Sequence, residues 1–219
     1  MKSFRSLAVS FLVAAALTLA AQASAKPVTF EIDAVHSRVQ FTIRHLVSKV
    51  TGNFAKFQGQ IVYDAEGPAA SSVNAEIDAA SINTMNDRRD GHLRSPDFFD
   101  TAKFPTLAFT SATVTPGTAG RFKVEGNFSM HGVTKPLTLD TEFLGTGPGP
   151  DGTPRIGFEA KASIDRKDYG IVWNKTLDQG GTILGDDVRI LIQIEGIAAS
   201  PAASPAETPA EKEAPKGAK

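Results

Sequence analysis

The amino-acid sequence predicts an all-β protein: an eight-stranded antiparallel barrel with one short helix at about residues 86–95. Three observations carry that reading. Apolar residues recur with period 2 along the whole of residues 26–197. Several of the alternating runs are about 9–11 residues long, against a usual strand of five or six. Turns rich in Gly, Pro, Asn and Asp separate successive runs, so each can return antiparallel to the one before.

The elements follow in order. Phe30–Asp33 is a short opener. Arg38–Leu46 alternates Val39, Phe41 and Ile43 with Arg38, Gln40, Thr42 and Arg44. Phe54–Asp64 and Ser72–Ala79 come next. Asn86 or Asp87 then caps a turn of helix carrying Arg88, Arg89, His92, Leu93 and Arg94, which Pro96 stops. Leu93, Phe98 and Phe99 are its apolar side, and a helix this short needs a sheet or a barrel mouth to pack on. Thr106–Thr115 leads to a run in which Phe122, Val124, Gly126, Phe128 and Met130 alternate with polar residues, and Leu137–Leu144, Arg155–Asp165 and Asp187–Ile197 complete the set. At about 3.3 Å per residue the longest runs reach about 30–36 Å. Such tall walls, with Gly52, Gly59, Gly126 and Gly157 relieving strong coiling, favour an up-and-down or lipocalin-like barrel over a two-sheet sandwich.

Both chain ends differ from this middle. Lys2 and Arg5 precede an apolar run from Leu7 to Ala21 and a small-x-small site at Ala23-Ser24-Ala25, the pattern of a cleavable secretory signal over residues 1–25. Its loss removes two of 23 basic residues and leaves 21 against 24 acidic ones, a net charge of −3. Without a basic face, no nucleic-acid partner is expected. No later run is long enough to cross a membrane as a helix, so the protein is not expected to be membrane-embedded. Residues 198–219, rich in Ala, Pro, Glu and Lys, lack the apolar side chains that offset ordering entropy and read as a disordered tail. The chain has no cysteine, which excludes disulfides, thiolate catalysis and Cys-based metal sites. The exported domain is expected in the periplasm, or outside the cell if the source has no outer membrane.

At eight strands a barrel is either filled by side chains or holds one small ligand. The inward face is assigned to Val39, Phe41, Ile43, Phe57, Ile61, Val73, Ala75, Ile77, Leu107, Phe109, Phe122, Val124, Phe128, Phe158, Ala160 and Ile164. Its small members leave space for a cavity, or pair with facing Phe rings in an ordinary jigsaw core. Polar candidates for meeting a ligand's head group are His36 and Arg38 on the first long strand, Asn86, Arg89 and Arg94 around the helix, and Arg166 and Trp173 in a later loop. A guanidinium suits phosphate or a polarised carbonyl. Each also has a structural role open to it, such as Arg94 tying helix to sheet. The four His show no metal-ligand spacing; no nucleophile elbow or phosphate loop is present. Neither an enzyme nor a bound metal or cofactor is expected.

Four blocks in ordered succession go further. Phe30-Glu-Ile-Asp-Ala-Val-His-Ser-Arg-Val-Gln-Phe-Thr-Ile-Arg-His-Leu46, Arg89-Asp-Gly-His-Leu-Arg-Ser-Pro-Asp-Phe-Phe-Asp100 with Lys103-Phe-Pro105, His131-Gly-Val-Thr-Lys-Pro136, and Gly185-Asp-Asp-Val-Arg-Ile-Leu-Ile-Gln-Ile-Glu195 closely resemble the YceI-like family of periplasmic polyisoprenoid-binding proteins. The resemblance covers nearly all of residues 27–197. It implies a lipocalin-type barrel that holds an isoprenoid lipid, such as a polyprenyl phosphate or a quinone-like lipid, in a long internal channel. Two functions from different classes follow as expectations: a carrier or sequestering protein for such a lipid or a similar elongated lipophile, or a filled barrel that serves as an interaction module or as a transient adapter for a membrane enzyme.

Overall fold

The alternating runs form strands that close a ring. The computed structural model describes residues 26–178 and 180–199; the signal expected over residues 1–25 and nearly all of the tail expected over 198–219 lie outside the described residues. The strands are β1 (Val28–Ile32), β2 (Arg38–His45), β3 (Ser48–Phe54), β4 (Phe57–Tyr63), β5 (Ser72–Asp78), β6 (Ile82–Asn83), β7 (Thr106–Pro116), β8 (Arg121–Met130), β9 (Val133–Pro148), β10 (Pro154–Asp165) and β11 (Leu184–Ala198), with α1 (Asp87–Arg94) between β6 and β7. Every pairing is antiparallel. Because β1–β2, β3–β4 and β5–β6 are each one bent wall, the segments make an eight-stranded closed barrel.

The seam is sealed by β11. Its first part pairs with β2, as in Ile190 opposite Phe41, and its last residues pair with β1, as in Phe30 opposite Ala198. Its other edge pairs with β10 from Arg155 to Asp165. The last strand thus runs through Ala198, which has a ladder partner in Phe30.

One break and one added strand depart from the sequence reading. Phe54–Asp64 was expected as one strand, but it breaks at Ala55–Lys56, and the preceding Ser48–Phe54 forms the hairpin partner of β2. Ser81 fixes the break: its carbonyl accepts from the Ala55 amide at 3.1 Å and its hydroxyl oxygen accepts from the Lys56 amide at 3.1 Å. Those amides turn to the Ala79–Ser81 corner instead of to a ladder.

Strong coiling brings rings onto glycines. A Cβ on Gly52 would sit 2.5 Å from Cζ of Phe41, and one on Gly126 would sit 2.6 Å from Cζ of Phe109. In each case a ring fills the space the missing side chain leaves. Opposite Gly126, β7 carries a register shift between Ser111 and Thr113, which adds to the local bend.

Helix α1 matches the span expected for it. The Asn86 side chain accepts from the Arg89 amide at 3.0 Å, Asp87 and Asp90 stand in the first turn, and His92 and Arg94 stand in the last. This arrangement complements the helix dipole. Connections 46–47, 84–105, 131–132 and 166–183 all lie at the α1 end of the barrel, and the tight turns 117–120 and 149–153 lie at the other.

Candidate functional site: an apolar cavity along the barrel

Inward side chains do not fill the barrel. A cavity of about 450 Å³ runs through it, lined from Tyr63 and Ser71 near the turn end to His45 and Ile183 near the α1 end. That volume falls in the range of small-molecule pockets, about 300–1,000 Å³. Phe41, Phe57, Val73, Ile77 and Phe122 point inward yet are only partly buried, because they face this space, whereas Ile82 and Ile156 away from it are sealed at 0% and 1% exposure.

All sixteen apolar positions assigned to the inward face line the cavity. The sequence reading overlooked the face of β11, where Val188, Ile190, Ile192 and Ile194 also line it. Alternation was present there, but Leu191 on the outer face makes 190–192 a continuous apolar run with no visible period.

An aromatic plug covers the α1 end. His92 stands at 90° to Trp173 with ring centroids 4.9 Å apart and packs edge-on to Phe98 at 5.0 Å; Phe98 and Trp173 lie 5.2 Å apart. His92 Nε2 also pairs with Asp97 at 2.8 Å, which fixes the ring. Leu93, Phe98 and Phe99, the apolar side expected of the helical block, reach the cavity wall, and Phe99 meets Phe54 edge-on at 5.8 Å.

The seven head-group candidates separate into two groups. Arg89, Arg166 and Trp173 line the cavity; His36, Arg38, Asn86 and Arg94 do not. His36 lies in the turn between β1 and β2, with its side chain 60% exposed and Nδ1 2.7 Å from Asp33. Arg38 is exposed, because the pleat that sends Val39 inward sends Arg38 out. The Asn86 side chain is occupied by capping α1. Arg94 donates from Nε to the Ala80 carbonyl at 2.7 Å and from Nη2 to the Ile82 carbonyl at 2.8 Å, which ties helix to sheet.

Arg166 is at the cavity but committed to the loop around it. Its guanidinium donates to the carbonyls of Gly185, Ile171 and Trp173 at 2.9, 2.7 and 2.8 Å, and to Asp186 at 2.8 Å. Lys167 with Arg166 holds the Asp186 carboxyl below its usual range. Arg89 is less committed: Nε donates to the Thr84 hydroxyl at 2.7 Å and Nη2 to the Thr84 carbonyl at 2.8 Å. Thr84 in turn donates its hydroxyl to buried Asp90 and its amide to the same oxygen at 2.9 Å. No carboxylate is among the described residues that line the cavity, whereas two guanidinium groups are.

Outside the barrel, Asp33, His36 and Glu195 bring potential metal-ligand atoms within 4.8 Å of one another. Arg155 already supplies the cation there, at 3.3 Å from Asp33 and 2.9 Å from Glu195.

Comparison with known proteins settles the family. The YceI-like domain profile matches residues 30–196. The chain belongs to the YceI-like family. Among curated YceI-like relatives, the UPF0312 protein YE1254 of Yersinia enterocolitica is 36% identical over 197 residues, 90% of this chain and 99% of that one. Protein YceI of Salmonella arizonae is 36% identical over 190 residues, 86% of this chain and 96% of that one. The YceI crystal structure from Campylobacter jejuni matches with a TM-score of 0.62 at 30% identity, over 70% of this chain and 88% of that one. Two more distant structures share the fold: BcnA of Burkholderia cenocepacia (TM-score 0.67, 21% identity, 75% and 98% coverage) and a polyisoprenoid-binding domain from Saccharophagus degradans (TM-score 0.58, 19% identity, 78% and 99%).

Proposed function

We propose that this YceI-like barrel binds and carries, or sequesters, one long isoprenoid lipid or a similarly elongated lipophile in the periplasm, and performs no chemistry on it. The observation that carries the reading is the continuous, almost wholly apolar cavity along the barrel axis. The Saccharophagus degradans neighbour, described as a polyisoprenoid-binding domain, supports the same class of ligand. Burying about 400 Å² of apolar ligand surface at roughly 25 cal/mol per Å² contributes about 10 kcal/mol, against about 4–15 kcal/mol for association and ordering. Apolar burial has no direction, so chain length is read loosely. The head group is read by charge: with guanidinium groups and no carboxylate on the lining, an anionic or carbonyl-bearing head, as in a polyprenyl phosphate or a quinone-like lipid, is preferred over a cationic one, and Arg89 is the residue that meets it.

Native mass spectrometry of the protein purified from its own cell envelope tests this. The expected result is a one-to-one extra mass that organic solvent extracts; a ligand-free species that also fails to take up added polyprenyl phosphate refutes it. In the same sample, a mature N-terminus at Lys26 is the expected mark of export.

A further inference from the structure

Large apolar side chains are not exposed evenly over this barrel. Of the eight that stand in water among the described residues, five, Leu46, Val47, Met85, Val172 and Leu177, lie at the α1 end, and Val28, Val35 and Leu144 lie elsewhere. Val47 is 104% exposed and Met85 91% exposed. Leu46 and Met85 also hold left-handed backbone, with φ of 50° and 61°, where Gly or Asn is the low-cost choice. An apolar side chain kept in water on a strained backbone has a use other than folding.

The foremost of these residues sit on two neighbouring tips. Leu46 and Val47 form the turn of the β2–β3 hairpin, and Leu177 stands in the loop closed by its own amide to the Gly181 carbonyl at 3.1 Å. The tips touch through the Leu46 amide, which donates to the Ile183 carbonyl at 2.8 Å. Around them, Arg44 and Lys49 face each other across the hairpin and Lys175 stands beside the second tip, all three exposed, with Asp178 next to that tip and Asp186, Asp187 and Arg189 lining the same surface hollow as Arg44 and Lys49. Four basic groups, Arg44, Lys49, Lys175 and Arg189, stand against three acidic ones, Asp178, Asp186 and Asp187, so the tips and their flank keep a positive excess on a chain whose net charge is −1. His45, Val50 and Ile183, next to the tips, belong to the cavity lining.

We propose that these two tips dock the α1 end of the barrel on an anionic phospholipid bilayer, with Leu46, Val47 and Leu177 inserted among the head groups and Arg44, Lys49 and Lys175 on the phosphates. This rests on the carrier reading and adds where the lipid is exchanged. Apolar insertion plus a few basic residues is what holds a peripheral protein at an interface. Docking there would bring the bilayer beside the lining residues His45, Val50 and Ile183.

The test uses protein expressed from the full chain and vesicles of phosphatidylcholine with or without 30% phosphatidylglycerol. Flotation should show binding to the anionic vesicles that weakens at high salt. Leu46→Asp/Val47→Asp should bind about a hundredfold more weakly, at about tenfold per inserted side chain. Val35→Asp, on the exposed β1–β2 turn, should bind like the parent. Polyprenyl phosphate delivered from solvent should enter the double variant as well as the parent. No vesicle binding by the parent, equal loss in Val35→Asp, or loss of solvent-delivered uptake in the double variant overturns the proposal. So does a concentration-dependent dimer that the double variant abolishes, which would make the partner a second copy. If vesicle binding behaves as stated but no variant takes up the lipid, docking stands and the carrier reading falls.

Discussion

Replacing Arg166 by Met separates a loop-building guanidinium from a head-group ligand. The side chain is only 3% exposed and donates to three backbone carbonyls and to Asp186. Met fills similar volume and donates nothing. Asp186 keeps its 2.8 Å bond from Lys167, so most of the loss falls on the carbonyls of Gly185, Ile171 and Trp173. At about 1–3 kcal/mol per buried group left without a partner, and with water reaching some of them, the expected loss is about 3–5 kcal/mol, as for breaking other buried charged networks. For a domain of this size each kcal/mol moves Tm by about 2–4 °C, so thermal unfolding followed by circular dichroism should fall by about 10 °C. Arg166→Lys should recover little, because one ammonium cannot reproduce a planar fork of donors. A Tm within 2 °C of the parent for Arg166→Met refutes the structural role. If Arg166→Lys instead keeps Tm and polyprenyl phosphate uptake while Arg166→Met keeps Tm but loses uptake, the charge serves the ligand.

Other outcomes follow from single contacts. Phe41→Arg places a cation in the apolar lining and should abolish polyprenyl lipid uptake in native mass spectrometry; a folded variant that binds normally shows that Phe41 does not border the ligand. Gly126→Ala forces a methyl onto the Thr110 carbonyl oxygen and against the Phe109 ring, 2.6 Å from Cζ, and should cost about 3 kcal/mol, read as a lower denaturation midpoint at unchanged m-value. His36 titrates above its usual 6.5 because it bonds to Asp33, and Asp33 titrates below its usual 3.8 because of the same bond. The His36 contribution is full below pH 6.5 and is lost as pH rises through its raised value; the Asp33 contribution is present above pH 3.8 and is lost as pH falls through its lowered value. The Tm difference between parent and His36→Asn should therefore be largest between pH 3.8 and 6.5, and a flat difference across pH 3–9 counts against the pair.

The barrel and its inward face were legible because period 2 is imposed by the pleat itself, one side chain at a time. What escaped depends on partners in space. Ser48–Phe54 is polar along most of its length and has Gly52 inside it, so nothing local marks it as a strand; Phe41, eleven residues upstream and paired with Gly52, supplies the missing packing. Head-group candidates were chosen by chemical type, and type does not say whether a donor is already occupied. Arg94 and Asn86 answer backbone groups within α1's own neighbourhood, while Arg166 answers carbonyls up to 19 residues away. The sequence held the right cations but not their existing obligations.

The sealed seam has a kinetic consequence. Ser37, between the first two strands, bonds the Glu195 carbonyl across 158 residues of chain, and β11 must pair with β10, β2 and β1 before any part of the ring is complete. A nascent or truncated chain that ends before Leu184 has two raw sheet edges and a wet apolar trough between them. Closure of so long a loop is slow, and an open-edged trough is the species that pairs with other chains. Folding of this barrel is therefore gated by its last strand, and protection of its interior arrives all at once, when the final fifteen-residue strand snaps the first and last walls together.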